Sequence, residues 1–216
     1  ILGFILYLVI GQDFHKSRMF KAKEIEGELK YAVRRQEETI YHKKLRLANP
    51  EMNRFRDLML YNLEAGEAVL TDNNDIRIYT DGKAKFRALI EEMKQARKYI
   101  HLQYYIIRND ELWQEIEKVL IQKAREGVQV RVLFDSMGCR TMHNRDWERL
   151  EAEGIMVAEF FPALLGQLQL RVNYRNHRKI VVIDGRIGFV GGFNVGREYL
   201  GRDKKFGYWR DTHLCI

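Results

Sequence analysis

The sequence predicts an α/β fold, a mixed β-sheet flanked by helices on both faces. Three observations predict it. Runs rich in β-branched and aromatic residues alternate with amphipathic stretches between residues 76 and 160, the pattern of strands joined by crossover helices. Ile180-Val181-Val182-Ile183 is uninterrupted and β-branched, which suits a strand buried on both faces. Apolar residues make up 46% and aromatics 12% of the 216 residues, enough to build a core and to exclude disorder for most of the chain.

Taken in order, residues 1–11 are apolar and uncharged. Such a length reaches only about 16 Å as a helix, whereas a bilayer core needs about 20 residues. The stretch reads as the last part of a transmembrane helix whose start is missing. A core helix or a signal-peptide segment would look similar, but no small-residue cleavage site follows. His15, Lys16, Arg18, Lys21 and Lys23 come next, and positive charge after a span marks the cytoplasmic side. Residues 1–14 are thus assigned to the span, 15–54 to a basic helical linker and 55–216 to a globular domain. The linker serves equally as a solvated surface helix or as a strip resting on anionic lipid.

Within the domain, Phe55 to Leu63 predicts a helix, 76–79 a strand, and Asp81-Gly82 a turn. Phe86, Leu89, Ile90 and Met93 recur at helical spacing over 84–97. Strands follow at 99–107, 128–134 and 156–160, with helices at 112–125 and 144–153 between them. Gly127 and Gly154 close those helices. Asp184-Gly185 is hairpin-turn chemistry, returning the chain as 187–190. A last strand runs from 208 to 216 and breaks off there, so the chain reads as a fragment truncated at both ends.

The formal net charge of +7 points to an anionic partner: nucleic acid, a membrane surface or a phosphorylated substrate. Cys139 and Cys215 stand far apart, which excludes a disulfide framework and a zinc site of ordinary spacing. There is no HExxH, P-loop or acidic cluster, and no metal or cofactor is expected.

The chemistry concentrates around Asn176-His177-Arg178-Lys179. His177 and Lys179 are two apart on a strand, so they share a face, and Asp184 points the other way. Gly191-Gly192 lets the backbone approach something small, and Asn194 adds an amide. A nucleophile-capable imidazole, a fixed cation and an amide donor suit a phosphoryl group. Gln103 and Tyr105 could line the pocket, or simply fill the core. The apolar run 160–165 could dip into lipid, or pack inside.

The pattern H-x-K-x4-D-x6-G-G-x-N over residues 177–194 resembles the signature of the phospholipase D superfamily. The flanking stretches resemble the first half of bacterial cardiolipin synthases. These include His101-Leu102-Gln103-Tyr104-Tyr105, Asn173-Tyr174-Arg175-Asn176, Glu198-Tyr199-Leu200-Gly201 and Trp209-Arg210-Asp211-Thr212-His213. The resemblance implies a phospholipase D-like sheet and a membrane-bound phosphatidyltransferase that makes cardiolipin from two phosphatidylglycerol molecules. His177 would be the nucleophile, Lys179 and Asn194 would hold phosphate oxygens, Asp184 would support the motif, and Asp211 would orient the imidazole, with Glu198 as its rival. A phospholipase or dimeric nuclease of the same superfamily, or a non-catalytic half-domain, remains the alternative. Family members carry two such motifs, and only one is present here. The resemblance therefore implies a second motif-bearing domain or a homodimer partner, at the cytoplasmic side of a bacterial inner membrane, with anionic phospholipid favoured over nucleic acid.

Overall fold

The computed structural model describes residues 23–42, 44–72, 74–160 and 175–216. The transmembrane expectation for 1–14, the start of the linker and nearly all of the apolar run 160–165 lie outside the described residues. Among the described residues, no helix is long and apolar enough to cross a membrane.

The chain groups into two compact units, Asp13–Asp75 and one containing Ile76–Ile216. The first holds α1 (Lys23–Tyr41), a 3-10 turn at Pro50–Phe55 and α2 (Arg56–Gly66). The first helix ends at Tyr41, and Asn49-Pro50 opens the 3-10 turn. The Asn49 side chain accepts from the Glu51 N–H at 3.0 Å, and Pro50 opens the turn. The two units divide after Asp75. The reason is local packing, because Met59 and Leu63 of α2 bury against Ile40 of α1 and not in the sheet core.

The second unit is a seven-stranded mixed sheet. Its strands are β1 (Arg77–Asp81), β2 (Tyr99–Tyr104), β3 (Gln129–Asp135), β4 (Met156–Phe160), β5 (Ile180–Ile183), β6 (Ile187–Gly191) and β7 (Arg210–Cys215), in the order β1-β7-β6-β5-β2-β3-β4. The β2, β3 and β4 strands run parallel, each pair joined by a helix, α4 (Glu111–Arg125) and α5 (Asn144–Ala152). The β5–β6–β7 meander runs antiparallel beside them. Asp81-Gly82, expected as a turn, starts α3 (Gly82–Lys94), because the Asp81 carboxylate accepts from the Ala84 N–H and caps the helix.

All three helices of this unit pack on one face. Paired residues share a face, and the register links Ile100 to Val130 and Ile183, and Leu102 to Val132 and Val181. These are buried with Phe86, Leu89 and Met93 of α3, Trp113, Ile116 and Leu120 of α4, and Leu150 of α5. Each large apolar side chain buried there contributes about 1.5–3 kcal/mol. The expectation of helices on both faces is thus corrected for this unit: among its described residues, no helix packs on the other face. It presents His101, Gln103, Arg131, Leu133, Met156, Ala158, Ile180 and Val182 in an open trough. Ile180 and Val182, expected to be buried on both sides, are only half-buried for this reason.

Candidate active site

The parallel strands end where the antiparallel ones begin. Tyr105 follows β2, Asp135 ends β3, His177 and Lys179 lead into β5, Gly191 ends β6, and Asp211 opens β7. One edge of the sheet therefore collects residues from five strands, the place where open α/β sheets hold ligands.

Lys179 stands at the centre. It is 4% exposed, with its Nζ 2.8 Å from His177 Nδ1, 3.3 Å from Nε2 and 2.7 Å from the His177 carbonyl. Nδ1, the nearer ring nitrogen, accepts from the ammonium in the tautomer that carries its proton on Nε2. The imidazole is exposed, and its ring lies 4.4 Å from that of Tyr105. Lys179 also stands over the Tyr105 ring, 5.4 Å from its centre. Burial, then the neighbouring Lys179 ammonium, lower the His177 pKa, and Asp135 opposes them. Burial pushes Lys179 down to about 8, against the pull of the Asp211 carboxylate. The pair is thus a neutral imidazole beside a cation that titrates close to neutral pH.

The glycine pair fits tightly. A Cβ on Gly192 would run into the Asp211 carboxylate, and one on Gly191 would strike the backbone of Thr212 and His213. The Gly192 N–H donates to the Thr212 carbonyl at 2.9 Å. Both glycines therefore let β7 close against the site, so the close approach they allow here is to the chain's own strand.

Asp211 stands at the same end of the sheet as His177 and Lys179. It accepts from the Thr212 N–H at 2.7 Å and acts electrostatically on Lys179, while the hydrogen-bond partner of the His177 ring is Lys179. Glu198, the rival, pairs with Arg108 at 3.2 Å. Asn194 is buried, with Oδ1 accepting from the Ile106 N–H at 3.1 Å and Nδ2 donating to the Tyr199 hydroxyl at 2.8 Å. Its amide braces the loop after β2. Gln103 departs from expectation: it pairs with Ile180 and Leu133 on the helix-free face, opposite Lys179.

Asp184 stands at the far end of β5. Its carboxylate accepts from the backbone N–H groups of Arg97, Lys98 and Tyr99 at 2.8, 2.8 and 2.9 Å. Against a burial cost, these bonds hold the carboxyl below its ordinary range. With φ of 56° at Asp184 and 69° at Gly185, the hairpin turn has two left-handed residues, the geometry that Asp-Gly favours. Asp184 therefore locks the hairpin to the start of β2, and its place in the motif is structural.

Three further groups at this edge were not singled out from the sequence. Asp135 is fully buried, accepts from the N–H groups of Asn176 (3.0 Å) and Met137 (2.9 Å), and lies 3.7 Å from Arg175. It tethers the backbone next to His177, and its position at the end of a parallel strand was a usable signal. Lys85 is fully buried and donates to the Tyr104 hydroxyl at 2.6 Å, with burial lowering its pKa well below the usual value. His213 is buried behind Gly191, and burial, then Lys85 and Lys179, push its pKa to about 3. Neither of its ring nitrogens has a hydrogen-bond partner among the described residues. Among those residues, no cluster of His, Cys, Asp or Glu is disposed to hold a metal ion.

Comparison with known proteins gives the family. Residues 89–206, more than half of the chain, match the family model described as the phospholipase D-like domain of cardiolipin synthase. The cardiolipin synthase of Oceanobacillus iheyensis is 46% identical over 217 residues, covering 100% of this chain and 45% of that protein. A cardiolipin synthase of Staphylococcus aureus is also 46% identical, over 100% of this chain and 44% of its own length. The chain thus spans less than half the length of the curated relatives it matches. Among solved structures, the phosphatidylserine synthase of Haemophilus influenzae superposes with a TM-score of 0.50 at 18% identity. The match covers 65% of this chain and 32% of that one, a likeness of fold. On the family match and the full-length identity together, the chain belongs to the phospholipase D-like domain family of cardiolipin synthases.

Proposed function

We propose that this chain supplies the nucleophilic half of a membrane-bound phosphatidyltransferase that makes cardiolipin from two phosphatidylglycerol molecules. The observation that carries this reading is the contact between His177 Nδ1 and the buried Lys179 ammonium at 2.8 Å. The ammonium keeps the imidazole neutral and occupies its lone pair. A phosphodiester gives Lys179 a better, anionic partner, so its arrival releases the lone pair to attack phosphorus. The new N–P bond forms as the P–O bond to glycerol breaks, leaving a phosphatidyl-histidine. The hydroxyl of a second phosphatidylglycerol then displaces histidine, so one phosphodiester is exchanged for another and no nucleotide is consumed.

The departing glycerol needs a proton, and the hydroxyl that attacks must lose one. A second histidine of the same kind, from a second domain or a partner copy, would serve both steps. That the relatives are more than twice as long as this chain supports a second domain. Asp211 becomes free to meet the imidazole once Lys179 turns to phosphate. The apolar residues 1–11 followed by a basic run support a site at the cytoplasmic side of a bacterial inner membrane.

The test is incubation of the full-length protein in detergent with labelled phosphatidylglycerol, reading cardiolipin and glycerol. Both products are expected from the wild type, and neither from His177→Ala. Absence of both from the wild type, or equal yields from the two proteins, overturns the reading.

A further inference from the structure

We propose that the loop 201–209 is a docking surface for an anionic lipid bilayer, set so that the headgroup plane meets the His177–Lys179 edge. The proposal rests on the phosphatidyltransferase reading and deepens it, by naming how a lipid substrate is brought to the site.

The loop is basic and aromatic together. Phe206 is 51% and Tyr208 68% exposed, and Lys204, Lys205 and Arg210 beside them are exposed as well. The acidic residue of the loop, Asp203, is turned inward. It accepts from the Lys205 N–H at 2.9 Å and lies 3.8 Å from Arg197, while its carbonyl accepts from the Gly207 N–H at 2.9 Å. Its charge is thereby spent inside the loop, and the outer surface is left cationic. Aromatic rings flanked by lysine and arginine are the side-chain chemistry of a membrane interface, where rings enter the headgroup layer and cations meet lipid phosphates.

The loop is also wired to the site. Trp209 packs edge-on against Phe206 at 5.7 Å and against Tyr199 at 5.0 Å. The Tyr199 hydroxyl accepts from Asn194, which in turn holds the N–H of Ile106, next to Tyr105. Two residues beyond Trp209 stands Asp211, against Gly192 and within electrostatic reach of Lys179. A bilayer that takes up Phe206 and Tyr208 therefore lies at the rim of the edge where the phosphoryl group is expected.

The test reads contact directly. Cys139 and Cys215 are both buried, so a cysteine introduced as Phe206→Cys takes an environment-sensitive fluorophore selectively. Gln129→Cys, exposed at the opposite end of the sheet, is the control position. Both labelled proteins are mixed with phosphatidylcholine vesicles, with and without phosphatidylglycerol, and with brominated lipid as quencher. The proposal expects a blue shift and quenching at 206 on anionic vesicles, weaker at high salt, and no response at 129. Lys204→Glu with Lys205→Glu should lower the response roughly tenfold or more. No quenching at 206 on protein that has bound the vesicles overturns it, as does a probe that responds to duplex DNA and not to anionic lipid. The readout needs no turnover. Failure of the catalytic reading alone leaves the quenching intact, whereas failure of the docking surface abolishes it even in an active enzyme.

Discussion

The Lys179 ammonium lies 2.8 Å from Nδ1 of His177 and 2.7 Å from the carbonyl of the same residue. The lysine therefore holds both the ring and the backbone of His177. This arrangement fixes a protonation state. Local burial and the neighbouring cation both disfavour the charged form of the imidazole, and burial pushes the lysine itself down to about 8.

A bell-shaped pH dependence follows. Attack requires neutral His177, whose pKa lies below its ordinary value of about 6.5, so the rate rises with pH and levels off in the acid range. Phosphate binding requires charged Lys179, so the rate falls again as pH passes about 8. A profile of kcat/KM against pH in the full-length enzyme checks both limbs. Lys179→Arg, which stays charged, should lower the rate and remove the alkaline limb.

Gly192→Ala should be among the most damaging small substitutions. Its Cβ would enter the Asp211 carboxylate and push β7 away from the site. A displacement of about 1 Å at a reacting centre costs on the order of a hundredfold in rate. Steady-state kinetics should show that loss, with secondary structure by circular dichroism unchanged.

Asp184→Ala should act on stability. It removes the acceptor of three backbone N–H groups and places alanine at a left-handed turn position. A loss of about 2–3 kcal/mol is expected in urea unfolding, with Asp184→Asn in between. Because the folded carboxyl has a depressed pKa, its contribution is present above the unfolded value of about 3.9 and is lost as pH falls through the folded one. The stability difference between wild type and Asp184→Ala should therefore shrink in acid.

Asp135→Asn should move the acid limb of the rate profile further down. Asp135 is the charge that opposes the lowering of the His177 pKa, and it holds the Asn176 N–H next to the nucleophile. An NMR titration of the His177 ring reads the same shift without turnover. Asp135→Ala adds the cost of unmet buried N–H groups, about 1–3 kcal/mol, visible as a lower Tm.

Much of this was legible in local pattern. The Ile180–Ile183 strand, its Asp-Gly turn and the returning strand follow from β-branching and turn chemistry, with Lys179 just before the first and Gly191 at the end of the second. What was missed depends on contacts between distant residues. Asp81 reads as a turn residue until Ala84 is seen to donate to it. Asp184 reads as a supporting turn residue, but its partners, the N–H groups of residues 97–99, are distant in sequence. Gln103 was readable by parity, since Ile100, Leu102 and Tyr104 take the core face. Tyr105 escapes that parity because β2 has ended, and its ring comes to lie against His177. That no helix of this unit, among the described residues, packs on the second face has no signature in its strands, whose outward residues are apolar enough to suggest cover.

The central claim is that His177 becomes covalently bound to the phosphatidyl group. Full-length enzyme incubated briefly with phosphate-labelled phosphatidylglycerol, quenched and digested tests it most directly. An acid-labile label on the peptide carrying His177, absent from His177→Asn, is the predicted result. Cardiolipin formation with no label on that peptide, or with the label retained in His177→Asn, would contradict it.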